Sequence, residues 1–262
     1  MTAHPIVDAH AHIGEPGTFL VPQSTPEQFL EVMDKVGIGA AVLCDHRSVV
    51  EGCGGTLDRL ARVYERSEGR LHYLAVYHPN RSRECLAAME RALGRPGLVG
   101  LKLHPSFHGV PAEDPRYVDA WRFATEANLA VLAHSWSVSP HNATQALSTP
   151  ERFERYVAQF GRVRFVLGHA GGRGSGRAQA LRMVREHPNV YVDFAGDIFC
   201  RRLVESLVAA VTAGRVLFAS DFPWVDPRAN LSRVLLGDLS DEDRARILWG
   251  TAAEVYGIGY AG

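Results

Sequence analysis

The chain has 262 residues, 46% of them apolar and 22% charged, with a formal net charge of −1 at pH 7. This composition excludes a disordered, collagen-like or coiled-coil chain, and the balanced charge gives no basic footprint for nucleic acid or an anionic membrane. The cysteines (Cys44, Cys53, Cys85, Cys200) form no C-x-x-C pair, so the chain offers no disulfide or zinc-finger framework and suits a reducing compartment. No signal-peptide pattern opens the chain, and no apolar run approaches the roughly 18 residues of a membrane span. The expectation is a soluble, cytoplasmic protein that acts on a small molecule, without nucleic-acid or membrane partners.

In chain order, short apolar runs predict strands at Ile6–His10, Ala40–Asp45, Leu71–His78, Val99–His104, Ala130–His134, Arg164–His169, Val190–Phe194 and Val216–Asp221. Their Val and Leu content without strict alternation fits buried parallel strands. Helical signals lie between them. Thr25-Pro26-Glu27-Gln28 reads as a capping box with proline at the first helical position, and Phe29, Leu30, Met33 and Val36 form the apolar stripe up to Gly37. Thr149-Pro150 opens a helix with Phe153, Tyr156, Val157 and Phe160 on one face, and Ser240-Asp241-Glu242-Asp243 opens the last one. Eight strands alternating with helices predict an α/β fold, a single (β/α)8 TIM barrel over residues 1–262. A doubly wound open sheet fits less well, because no glycine-rich turn follows the first strand.

Polar residues interrupt these strands at their C-terminal ends: His10 and His12, Lys102 and His104, His134, His169, Asp193 and Asp221. Barrel active sites are built at that face, and the period of 2 along a strand puts His10 and His12 on one side. One histidine at a strand end is more often structural than a ligand, and an aspartate there usually caps the next helix. An H-x-H on the first strand, with histidines on the fifth and sixth and an aspartate on the eighth, is instead a metal-ligand set of imidazole and carboxylate. Zinc suits it best, with manganese and iron as alternatives. Lys102 stands out because Lys35 is the chain's one other lysine and its own neighbours are apolar. Cys44 is the one cysteine near a strand end, Asp8 reads as a buried structural carboxylate, and Trp136 and Trp224 follow ligand-bearing strands.

Val7-Asp8-Ala9-His10-Ala11-His12, Leu101-Lys102-Leu103-His104-Pro105, Gly168-His169-Ala170-Gly171-Gly172 and Ser220-Asp221-Phe222-Pro223 together resemble the amidohydrolase superfamily, in its amidohydrolase-2 branch. The terminal Ile247-Leu248-Trp249-Gly250-Thr251-Ala252-Ala253 is similar too, with Thr251 where asparagine is commoner. The resemblance spans nearly the whole chain and implies one or two divalent metal ions. His10, His12 and Asp221 would hold the first, and His134 and His169 a second. In a mononuclear member His134 joins the single ion and His169 handles protons. Lys102, carboxylated on its amine, would bridge two ions, since a buried lysine is easily neutralised and then nucleophilic toward CO2. Asp221 and His169 are the expected catalytic groups, with His104 and Trp136 binding substrate. A homodimer is a family-level expectation.

Three chemistries follow. The first is hydrolysis of a small amide, lactone or ester by metal-activated water, with Asp221 as acid and base. The second is metal-dependent nonoxidative decarboxylation of a small organic acid, aromatic acids among them. The third is a metal-free Schiff-base lyase using Lys102, against which the histidine set speaks.

Overall fold

A computed structural model describes residues 5–15 and 24–259. Among these, eight parallel strands run in consecutive order: β1 Val7–Ile13, β2 Ala40–Asp45, β3 Leu71–Val76, β4 Leu98–Leu103, β5 Ala130–Ala133, β6 Phe165–Leu167, β7 Val190–Asp193 and β8 Val216–Leu217. Helices alternate with them, and the architecture is the single (β/α)8 barrel that the sequence predicts. No helix among the described residues is long and apolar enough to cross a membrane.

The first crossover helix, Pro26–Val36, starts as its sequence requires. Thr25 accepts from the Gln28 N–H, Gln28 returns a bond to the Thr25 N–H, and Gly37 ends the helix in the left-handed region. Thr149-Pro150 opens a 3-10 turn, Pro150–Phe153, that continues as the helix Glu154–Gln159. Ser240 caps Asp241–Ala245, which runs through a π-turn at Arg246–Gly250 into Thr251–Tyr256.

Two apolar layers follow from strand alternation. Outward strand residues such as Leu43, Leu101 and Leu103 pack with the helices' Phe29, Met33 and Trp121. Inward residues such as Val7, Val42, Leu74, Leu132, Val166 and Leu217 fill the barrel interior. β1 carries one extra residue between Asp8 and Ala11 relative to β2. Val7 and Ala9 belong to the interior, and the bulge lets His10 and His12 face inward as well, with Ala11 and Ile13 outward.

β3, β5 and β7 end one or two residues before their predicted limits, and two strands are shorter still. β6 ends at Leu167 because His169 and Ala170 adopt φ 60° and 47°, outside strand geometry. β8 has two ladder residues, and beyond it the chain bonds β1 singly: Ala9 N–H to Phe218 O, Asp221 N–H to His10 O and His12 N–H to Phe222 O. These bonds close the barrel. Asp8 fastens the same seam, accepting from the backbone N–H groups of His10 and Ser220 and from the Ser220 hydroxyl, which is the structural role its sequence position suggests.

His72 on β3 is buried against Tyr64, with its Nδ1 unpartnered, and burial pushes its pKa from 6.5 down to about 4. The unfolded chain therefore takes up this proton first as pH falls. The stability in question is present above pH 6.5 and is lost on descent toward pH 4. Thermal unfolding followed between these pH values is expected to show acid destabilisation that His72→Leu reduces by on the order of 2 kcal/mol. An unchanged pH dependence in that variant would refute this role.

Candidate active site

The strand ends converge on a cavity of about 600 Å³ whose lining includes His10, His12, Lys102, His104, His134, Trp136, His169 and Asp221. The sequence-derived set is thus brought to one place. Two glycines allow the approach. A Cβ at Gly168 would come 2.8 Å from the Ala133 carbonyl oxygen, and one at Gly196 would come 2.9 Å from His169 Nδ1. His169 and Asp221 themselves adopt left-handed backbone, φ 60° and 69°. For residues with a side chain this costs about 1–2 kcal/mol each and persists where surrounding contacts impose it. At His169 the backbone N–H donates to Asp193 at 2.7 Å, and at Asp221 the N–H is held by His10 O.

Four imidazoles each have a protein partner at one nitrogen. His10 Nδ1 donates to Asp193 Oδ2 at 2.9 Å, and His169 Nδ1 donates to Ala195 O at 3.0 Å. His134 Nε2 donates to Gln145 Oε1 at 2.8 Å, and His12 Nδ1 lies 3.2 Å from Cys44 Sγ. The remaining nitrogens face one another or a carboxylate. His134 Nδ1 is 3.1 Å from His169 Nε2, His12 Nε2 is 3.2 Å from Asp221 Oδ1, and His10 Nε2 is 3.8 Å from the same oxygen. Lys102 Nζ stands 2.6 Å from His10 Nε2.

With the outer N–H groups assigned in this way, lone pairs oppose lone pairs, an arrangement that a shared proton or a cation resolves. His10, His12 and Asp221 place their donor atoms within 4.8 Å of one another, as a divalent ion requires. His134 lies outside this group. The residues present therefore fit a divalent metal, and Asp193 on His10 Nδ1 has the geometry of a carboxylate that orients a metal-binding imidazole. A second inner group, His10–His169–Asp193, reflects Asp193's hydrogen bonds to both neighbours, and the surface group Glu154–Glu186–His187 is already bridged by Arg182.

The electrostatics agree. Burial, followed by the Lys102 charge, holds His10 well below the ordinary imidazole range. Burial and then His169 push His134 down to about 3, and burial followed by His134 does the same in direction for His104. The rings are thus neutral, the state in which imidazole ligates. Burial also lowers Lys102 and raises the Cys44 thiol to about 12. For Asp221, burial acts upward but is outweighed by His169, His12 and His10, which hold the carboxyl below its usual range.

His104 stacks on His134 with ring centroids 4.2 Å apart and an 8° interplanar angle, while Trp136 lies parallel to His134 at 6.3 Å. His46 stacks on His12 and accepts from Trp224 Nε1 at 2.8 Å. The support roles of Asp193, Gln145 and the His46–Trp224 pair were not assigned from sequence. Gln145 sits in the loop after β5 with no motif around it, whereas Asp193 and His46 at least end strands.

A family model described as Amidohydrolase matches residues 7–258. The chain belongs to this family. No curated protein is similar enough in sequence to match it. Among solved structures, it is similar to 5-carboxyvanillate decarboxylase of Novosphingobium aromaticivorans, with TM-score 0.80 and 11% identity over 98% of each chain. It also resembles 2,6-dihydroxybenzoate decarboxylase from Rhizobium, with TM-score 0.77 and 15% identity over 97% of this chain and 99% of that one. A dihydroxybenzoic acid decarboxylase of a Polaromonas species gives TM-score 0.75 and 16% identity over 97% of each chain. The first and third of these structures hold manganese. These neighbours correct the expectation of a hydrolase: the solved structures sharing this fold along its whole length are mainly decarboxylases, lyases that break a carbon–carbon bond, with two proteins named only as amidohydrolases beside them. Zinc, too, has no specific support from them, and the donor set supports a divalent metal.

The Asp193–His10 bond predicts that Asp193→Asn, which removes the charge and keeps the size, weakens divalent-metal affinity by about tenfold or more. Competition of Mn2+ with a chromophoric chelator measures it. Affinity equal to the parent's would show that the carboxylate does not support the ligand.

Proposed function

We propose that this chain is a metal-dependent nonoxidative decarboxylase of a small aromatic acid bearing a hydroxyl beside its carboxylate. The observation that carries this reading is the buried floor of opposed lone-pair donors flanked by parallel flat rings. The likeness to decarboxylases of hydroxylated benzoates supports the substrate class. Trp136 and His104 present flat faces to an aromatic ring. His104 Nδ1 accepts from the Phe107 N–H at 3.3 Å, so its Nε2–H is left as a donor to a substrate oxygen.

His10, His12 and Asp221 would hold a divalent ion, and His134, His169 and a carboxylated Lys102 a second. When bound, the metal supplies positive charge that fixes the acid's oxygens. Asp221, whose carboxyl is held below its usual pKa range, accepts the substrate hydroxyl proton and hands it to the carbon carrying the carboxylate. The bond from that carbon to the carboxylate then breaks. Its electron pair returns to the ring, CO2 departs, and the product phenolate takes a proton from solvent. His169, its ring held by Ala195, is the second proton-handling group and exchanges that proton with water.

Two outcomes are expected. Mn2+-loaded protein given a panel of ortho-hydroxybenzoates releases CO2 and, in D2O, places one deuterium on the vacated carbon. Asp221→Asn lowers this rate by roughly 10²–10⁴-fold, and an absence of CO2 across the panel with metal bound would sink the reading. Protein supplied with bicarbonate is expected to carry two metal equivalents by elemental analysis, falling to one in Lys102→Ala. One equivalent in both proteins would remove the bridging role of Lys102.

A further inference from the structure

His10 and His12 offer Nε2 to the same cation position, yet their outer nitrogens have different partners. His10 Nδ1 meets the Asp193 carboxylate at 2.9 Å, whereas His12 Nδ1 meets the Cys44 sulfur at 3.2 Å. The backbone sets the second contact. His12 and Cys44 are register partners across the parallel pair β1–β2, and both are buried. A slip of one residue would carry the sulfur to the other face of the sheet. On the ring's inner side, His12 Nε2 lies 3.2 Å from Asp221 Oδ1, and with His10 these donor atoms fall within 4.8 Å of one another, the grouping that fits a metal ion.

We propose that Cys44 is a positioning residue for the metal centre: its sulfur accepts the Nδ1–H of His12, which turns Nε2 to the cation as a lone pair and leaves His12 the weaker of the two histidine donors. Sulfur is a weak acceptor, while a carboxylate partner raises the basicity of the imidazole it holds. The two ligands of one strand are therefore graded, His10 strong and His12 weak. A second carboxylate in place of Cys44 would have added another buried negative charge beside Asp221, and the thiol holds the ring without it. This inference rests on the metal-centre reading above.

The test uses the full chain, stripped of metal and titrated with Co2+, with affinity read by competition against a chromophoric chelator and geometry read from the Co2+ absorption bands. Cys44→Val fills the volume without an acceptor, and Cys44→Ser keeps an acceptor in less volume. Val is expected to lose about tenfold in Co2+ affinity and to shift the bands, with Ser staying closer to the parent. Val equal to the parent with Ser impaired would assign Cys44 to packing and overturn the proposal, as would two variants indistinguishable from the parent. A parent that binds no Co2+ overturns the metal-centre reading itself. Should either variant fail to fold, 15N NMR of the histidine-labelled, Zn2+-loaded parent decides: a proton on Nδ1 of His12 is expected, and one on Nε2 overturns the assignment.

Discussion

The seam between β8 and β1 is the constraint on which the rest of the structure depends. β8 contributes only Val216–Leu217 to the ladder, so closure falls to single bonds and to the buried Asp8 carboxylate that ties Ser220 to β1. The same few residues carry His10, His12 and Asp221. Closing the barrel and assembling the donor set are therefore one event: the Asp221 N–H is held by the His10 carbonyl, and the His12 N–H by Phe222. A change that opens the seam separates the ligands by the same motion.

Asp193 does for the next part of the site what Asp8 does for the seam. One carboxylate accepts from the His10 ring on β1, from the His169 N–H after β6 and from the Ala195 N–H after β7. It thereby ties the orientation of an imidazole to the left-handed turn that presents His169. Burial pushes this carboxyl upward in pKa, opposed first by His169. Its backbone donors are thus part of what makes a charged group affordable in the interior.

The barrel was legible because each strand is a short apolar run ended by a polar residue, and the order of those polar ends places the site. His10, His12, Lys102, His134, His169 and Asp221 stand at those ends, and the structure brings them to one cavity; the roles expected of them came from the family resemblance. The lengths of β6 and β8 were not legible, because their runs end in positive-φ residues fixed by distant partners. The support of His12 by Cys44 and of His134 by Gln145 depends on neighbours 32 and 11 positions away, and no local pattern announces either. The hydrolase expectation failed for another reason. Motifs that specify metal ligands are shared by enzymes that treat the bound substrate differently, so the ligand set alone leaves the reaction open.

The electrostatics of the site tie folding to ligation. His10, His12 and His134 are buried with lowered pKa values, so the folded chain holds neutral rings whose inner nitrogens face Asp221, Lys102 or His169. A cation placed among them binds the folded form in preference to the unfolded one. Stabilisation by such a ligand reaches about 2.7 kcal/mol when its free concentration is a hundredfold above Kd. Lys102 competes for the same space, since its amine already contacts His10 Nε2 at 2.6 Å. An ammonium there repels a divalent ion, whereas a neutral or carboxylated nitrogen does not. The burial that lowers Lys102 weakens the charge that would oppose the metal, so the apolar walls around β4 favour a cation at this position.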